Sequence, residues 1–190
     1  ITIEGKCFPL APPFMVLATQ NPLDQEGTYP LPEAELDRFL FKIMIDYPVI
    51  EQEARIVRMV LDGTISDSLN VSSLTPLCHA EGVLALQRFA TTVSLDDAVI
   101  DYALRLVRST RDQNGLSRGA GPRASIALCT AARAQALMEG RDFVIPDDIK
   151  SVARPVLRHR IQLSADAEIE GQTAESLLSR LLDQVPAPRQ

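Results

Sequence analysis

Residues 13–48 read PFMVLATQNPLDQEGTYPLPEAELDRFLFKIMIDYP. Phe14 to Thr19 is a continuous, mainly apolar run closed by the polar cluster Gln20-Asn21-Pro22. A short apolar run without alternation suits a strand buried on both faces, as in a parallel sheet. Gly27, Pro22, Pro30 and Pro32 mark 22–32 as a loop. Glu33 to Phe41 predicts a short helix with carboxylates in its first turn, where the helix dipole favours them. Lys42-Ile43-Met44-Ile45 predicts a second strand ahead of Asp46-Tyr47-Pro48. Upstream, Ile1, Ile3 and Phe8 flank Glu4-Gly5-Lys6 in the pattern of a small hairpin. One or two strands do not make a sheet. Either their partners lie elsewhere in a longer protein, or these runs are not strands.

The remainder predicts helices. Residues 51–62 place Ala54, Val57, Val60 and Leu61 on one face, with Gly63 closing the helix. A Ser-rich loop covers 64–76, and a short helix follows near 80–90. Ser94 to Asp97 resembles a capping box with Asp in place of Glu. The helix after it carries Val99, Tyr102, Ala103, Leu106 and Val107 at core spacing. A glycine-bearing loop, 115–121, precedes Pro122, which suits a first helical position, and an Ala-rich helix runs to Gly140. Pro146-Asp147-Asp148 starts a further helix through Leu157. The last, 173–185, carries Leu177, Leu178, Leu181 and Leu182 and stops at Pro186. The composition shifts near residue 48, from proline loops and strand-like runs to amphipathic helices, which places the domain boundary there.

With 190 residues, 46% hydrophobic and 23% charged, the chain can bury a core without disulfides or metals. The net charge of −6 and the absence of Trp argue against an extended phosphate-binding face or aromatic stacking platforms for single strands. Cys7, Cys78 and Cys129 are odd in number and far apart, with only His79 and His159 beside them. No zinc-ligand spacing or disulfide framework results, and reduced thiols in a cytoplasmic protein are the simple reading. The longest apolar run, around 10–18, holds two prolines and is too short to span a bilayer. No basic signal segment opens the chain, and the missing initiator Met suggests a fragment.

No G-x-x-x-x-G-K-[ST], G-x-S-x-G or H-E-x-x-H motif is present, so nothing here builds a self-sufficient enzyme. Three local features carry chemistry. Asn21 follows a strand-like run, where an amide can orient water or donate to a phosphate; the same residues also read as an Asx-turn. Arg38, in Leu36-Asp37-Arg38-Phe39, is either a surface ion-pair partner or a planar cation offered to a phosphoryl group. Arg123 follows Gly119-Ala120-Gly121-Pro122 in the first turn of a helix, either as part of a plain capped start or as half of an anion site.

Together with 109–161, STRDQNGLSRGAGPRASIALCTAARAQALMEGRDFVIPDDIKSVARPVLRHRI, the opening stretch resembles the MoxR family of AAA+ ATPases over roughly residues 1–185. The fold this implies is mainly α. A truncated α/β AAA+ core, with a short hairpin and one or two strands, occupies 1–48, and a helical lid bundle occupies 49–190. By the same resemblance Asn21 is the sensor 1 residue, Arg38 the arginine finger and Arg123 the sensor 2 arginine. Gly121 stands where the family usually has Ser, which leaves that helix cap looser. The family's P-loop and acidic metal motif lie upstream of sensor 1 and are not in these residues.

The implied function is ATP hydrolysis in a ring, expected to be a hexamer, coupled to remodelling or maturation of protein complexes. ATP and Mg²⁺ would be held mainly by the half not present, so these residues alone are expected to be inactive. Partners would be client complexes, including proteins with a von Willebrand factor A domain, in the cytoplasm, with no nucleic acid and no membrane span. A different class of reading is a non-catalytic helical interaction module. The basic cluster ending Pro146 to Arg160 suggests a third, a DNA-binding domain, against which the acidic balance argues.

Overall fold

The computed structural model describes residues 2–20, 31–63 and 74–188. A two-stranded hairpin, β1 (Thr2–Ile3) and β2 (Lys6–Cys7), opens it, turning through Glu4 and Gly5. Helices α1 (Glu33–Leu36), α2 (Ile50–Leu61), α3 (Ala80–Thr92) and α4 (Asp97–Asp112) follow. Next come β3 (Leu116–Arg118), α5 (Pro122–Met138), α6 (Pro146–Leu157), β4 (Gln162–Leu163), α7 (Ala165–Ile169) and α8 (Ala174–Gln184). The protein is mainly helical, as its sequence predicts, with the hairpin preceding a helical bundle.

The core is built by α4, α5, α6 and α8. The predicted stripe of α4 is buried: Val99, Tyr102, Ala103, Leu106 and Val107 all face inward, joined by Thr110. Its cap is Asp96, whose carboxylate accepts from the Ala98 N–H at 2.8 Å, rather than the Ser94–Asp97 box the sequence suggests. Ser94 instead joins a backbone bridge, donating to Asp142 O and accepting from Val144 N, which fixes the start of α6 beside that of α4. Small side chains on α5, Ala124, Ala127, Ala131 and Ala132, let it lie closely along α6, its most extensive neighbour. Ile149, Val156 and Leu157 fill the facing side of α6, and Leu177, Leu178 and Leu181 of α8 close the end. Each such fully buried aliphatic side chain contributes about 1.5–3 kcal/mol.

Loop 115–121 turns out to be partly ladder. β3 pairs antiparallel with β4, Leu116 opposite Leu163, tying the segment before α5 to the segment after α6. Gly119 lies so close to the end of α4 that a Cβ there would stand 2.7 Å from the backbone of Thr110 and Arg111.

The two apolar runs expected as strands behave differently. Residues 14–19 and 42–45 pair with no segment among the described residues, and Leu17 and Ile45 are 83% and 90% exposed. A strand exists only through its ladder, and no described neighbour offers one here. The helix expected over Glu33 to Phe41 stops at Leu36. The apolar stripe of α2 also meets no core, for that helix has no buried residue. Among the described residues, no helix is long and apolar enough to cross a membrane.

Candidate functional site

Arg38 and Arg123 line the same open groove, about 410 Å³ in volume, together with Asp37, Leu40, Thr130 and Arg160. They come from separate elements. Arg38 stands exposed on the turn after α1, and Arg123 is the second residue of α5, 61% exposed in its side chain. Asp37 lies between them, its carboxylate 3.9 Å from Arg123 and 3.2 Å from Arg160. Asn21 lies outside the described residues.

The α5 side is set by α4. The buried Thr110 hydroxyl accepts from the Ala120 N–H at 2.9 Å, and Arg111 Nε donates to the Ala120 carbonyl at 3.0 Å. Both backbone groups of the residue before Gly121 are thereby satisfied, and the entry to α5 is pinned. Gly121 caps α5 without a side-chain hydrogen bond, and the first turn holds no acidic residue. The positive end of the helix is therefore left to Arg123 and to whatever anion approaches.

The Arg38 side is set by the end of α6. Arg160 is buried, and its guanidinium donates to Asp37 Oδ1 at 3.2 Å, Asp37 O at 3.0 Å, Phe39 O at 2.6 Å and Leu40 O at 3.2 Å. A fifth bond goes back to Val156 O in its own helix. A guanidinium has five N–H groups, so none remains for a ligand. His159 Nε2 meets the same Phe39 carbonyl at 3.0 Å, and the Lys42 N–H donates to Pro155 O at 2.9 Å. α1 ends as the Arg38 and Phe39 N–H groups close tighter turns onto the Glu35 and Leu36 carbonyls, and the next carbonyl, that of Asp37, is taken by Arg160.

Burial pulls Arg160 below its usual value, opposed by the Asp37 carboxylate; as an arginine it stays protonated. Burial likewise lowers His159, with Arg160 and Lys42 adding repulsion, against the raising contributions of the Phe39 carbonyl and Asp37. The ring is held neutral, with Nε2 as donor and Nδ1 buried without a partner among the described residues.

Two exposed cations converging on one groove suit a phosphate or another compact anion. Arg160, deeper in the wall, is already paired. Among the described residues no group of three or more His, Cys, Asp or Glu is placed to hold a metal. A compact anion such as a phosphate group fits the two exposed guanidiniums.

The sequence points to Arg38 and Arg123 but not to Arg160 or His159 as parts of this site. Their signal, the run Leu157-Arg158-His159-Arg160 after an amphipathic helix, also reads as a basic surface cluster. Instead Arg158 pairs with Glu175 at 2.8 Å, Arg154 donates to Ser179, and Arg160 faces inward.

Residues 108–181 match the model of the AAA lid domain, and residues 1–41 match that of the ATPase family associated with various cellular activities. The uncharacterized protein YeaC of Bacillus subtilis is 41% identical over 190 residues, covering all of this chain and 58% of that protein. Chaperone MoxR1 of Mycobacterium tuberculosis is 39% identical, covering all of this chain and 51% of its own length. Protein MoxR of Methylorubrum extorquens is 32% identical, over 93% of this chain and 56% of its own. A crystal structure from Cytophaga hutchinsonii, assigned as an ATPase, superposes with a TM-score of 0.87 at 35% identity, over the whole chain and 58% of the other. The chain spans about half the length of the curated relatives it matches.

Proposed function

The chain belongs to the MoxR family of AAA+ ATPases, and from that premise we propose that it supplies the charge-neutralising side of an ATP-hydrolysing, ring-forming motor. The observation that carries this reading is the shared groove of Arg38 and Arg123. Phosphoryl transfer calls for positioning and charge neutralisation more than covalent chemistry. In this reading Arg38 is the arginine finger and Arg123 the sensor 2 arginine. Because both open onto one groove, both address the same γ-phosphate, that of a neighbouring subunit in a hexameric ring. Asn21, at the end of the apolar run 14–19, serves as sensor 1 and orients the attacking water on the subunit's own nucleotide.

Residues 1–48 act as the nucleotide-domain part and 49–190 as the lid. ATP and Mg²⁺ are held mainly by a P-loop and acidic motif that these 190 residues do not contain, so alone they hydrolyse no ATP. The motor acts in the cytoplasm on client protein complexes, including partners with a von Willebrand factor A domain.

Mixed rings test the reading. In the full-length protein, Arg38→Ala should leave ATP binding nearly intact and abolish most turnover, since a finger supplies about 10³–10⁵ in rate in related systems. Arg38→Lys should recover little, because the planar fork is lost. Subunits carrying Arg38→Ala, mixed with subunits lacking the P-loop lysine, should regain part of the activity. Assembled mixed rings that regain none would refute a finger working between subunits.

A further inference from the structure

We propose that Arg160, assisted by His159, is a positioning residue that locks the Arg38-bearing turn onto the lid helices, so that Arg38 and Arg123 move as one unit. This rests on the finger reading of Arg38 given above and adds the element that aims it.

Otherwise the turn is held by exposed ion pairs, Glu33 with Arg118 and Asp37 with Arg123 at 3.9 Å. α1 is four residues long and buries none of them. Around Arg38, however, the carbonyls of Asp37, Phe39 and Leu40 all accept from the Arg160 guanidinium. The carboxylate of Asp37 does the same. The Phe39 carbonyl is met by both Arg160 and His159, which uses both of its lone pairs. On the far side of the turn, the Lys42 N–H is bonded to Pro155. Arg38 is the residue of the turn left pointing outward, between two residues whose backbone is fixed.

The anchor is rigid for a separate reason. Arg160 follows α6 directly and bonds back to Val156 of that helix. α6 in turn packs most extensively against α5, whose first turn carries Arg123. A rigid path therefore runs from Arg123 through α5 and α6 to Arg160 and on to Arg38. Any rotation of the lid carries both groove arginines together. A side chain that spends all five donors inside the protein cannot also bind nucleotide, so Arg160 acts through Arg38 and not on the substrate.

The test uses the full-length protein with Arg160→Gln, Arg160→Lys, Arg38→Ala and the double variant Arg38→Ala/Arg160→Gln. Three quantities are read: affinity for a fluorescent ATP analogue, kcat, and amide hydrogen exchange of 37–42. Arg160→Gln should lower kcat at least tenfold with ATP affinity held within about twofold, and should speed exchange at Lys42 while leaving 122–139 unchanged. Arg160→Lys, with charge but three donors, should fall between wild type and Arg160→Gln. It also carries the test should Arg160→Gln fail to assemble.

The double variant decides between positioning and mere stability. It should be no slower than Arg38→Ala alone within about threefold, because residues acting through one element are not additive. Effects of the two substitutions that multiply, or unchanged exchange at 37–42, would overturn the proposal. Normal turnover in Arg38→Ala would instead remove the finger reading alone, since exchange at 37–42, which does not depend on activity, still reports whether Arg160 locks the turn.

Discussion

Arg160 holds Asp37 at two points, Nε to the carboxylate at 3.2 Å and Nη2 to the backbone carbonyl at 3.0 Å, across 123 positions of chain. A buried cation thus organises the residue next to the exposed Arg38. The same fold produces one arginine that is wholly consumed and two that are presented. The difference is made by burial, not by residue type.

Protection from hydrogen exchange should follow the core. α4 and α5 carry most of the fully buried residues, whereas 14–19 are exposed and without a ladder among the described residues. In the 190-residue chain, exchange should be slowest within 96–112 and 122–139. Stronger protection across 14–19 than in either helix would contradict this.

Gly119→Ala should destabilise the protein by about 1–3 kcal/mol, the usual range for overpacking. Its Cβ would strike backbone at 2.7 Å, and neither strand of chain can yield without disturbing the Thr110 and Arg111 bonds to Ala120. A urea midpoint unchanged from wild type would show that the loop relaxes freely.

Gly121→Ser should stabilise by a few tenths of a kcal/mol, about the margin by which Ser exceeds Gly as an N-cap. A Cβ at Gly121 meets nothing within 4 Å, and the backbone there is already extended at φ −83° and ψ 177°. Chemical denaturation reads the difference. Destabilisation would mean that the cap geometry depends on glycine.

Acid should attack the Arg141–Asp148 pair. Burial pushes the Asp148 carboxyl up. Two Arg141 contacts at 2.6 and 2.8 Å, with the Ile145 N–H at 2.8 Å, outweigh it and hold the group below the usual carboxylate range. A carboxyl depressed in the fold contributes stability that is full above its unfolded value, about 3.9, and is lost as pH falls through the folded one. Asp148→Asn should therefore lower the urea midpoint at pH 7 and flatten the loss of stability below about pH 4. An equal acid slope in variant and wild type would assign that slope to other carboxylates.

Mild acid should loosen the turn that carries Arg38. His159 is lowered mainly by burial, with Arg160 and Lys42 adding to it, against Phe39 and Asp37. A histidine depressed in the fold binds fewer protons than in the unfolded chain, so stability drops as pH falls through its unfolded value of about 6.5 towards the folded one. After correction for intrinsic rates, exchange at Lys42 should quicken between about pH 7.5 and 5.5. His159→Gln should remove that dependence, and a variant that retains it would place the titration elsewhere.

How much was legible beforehand differs between elements for a physical reason. The buried stripe of α4, the Pro122 start of α5 and the leucines of α8 follow from periodicity and capping, which involve residues within a few positions of one another. Those signals are written locally, and the tertiary structure agrees with them. The groove's two presented arginines were also marked locally, Arg38 by its acidic surroundings and Arg123 by its glycine loop and proline.

Ladders and buried ion pairs are different, because they depend on what lies opposite. The run 14–19 has the composition of a strand, yet composition cannot supply the neighbour that makes it one. Nothing near Arg160 in the chain reveals that its acceptors lie at 37–40. By itself the sequence determined the helices of the bundle and the family, and singled out the two arginines as candidates. Only the tertiary structure decided that these two share a groove and that a third arginine, buried and saturated, binds the turn that carries one of them, since a guanidinium's role is set by the acceptors around it.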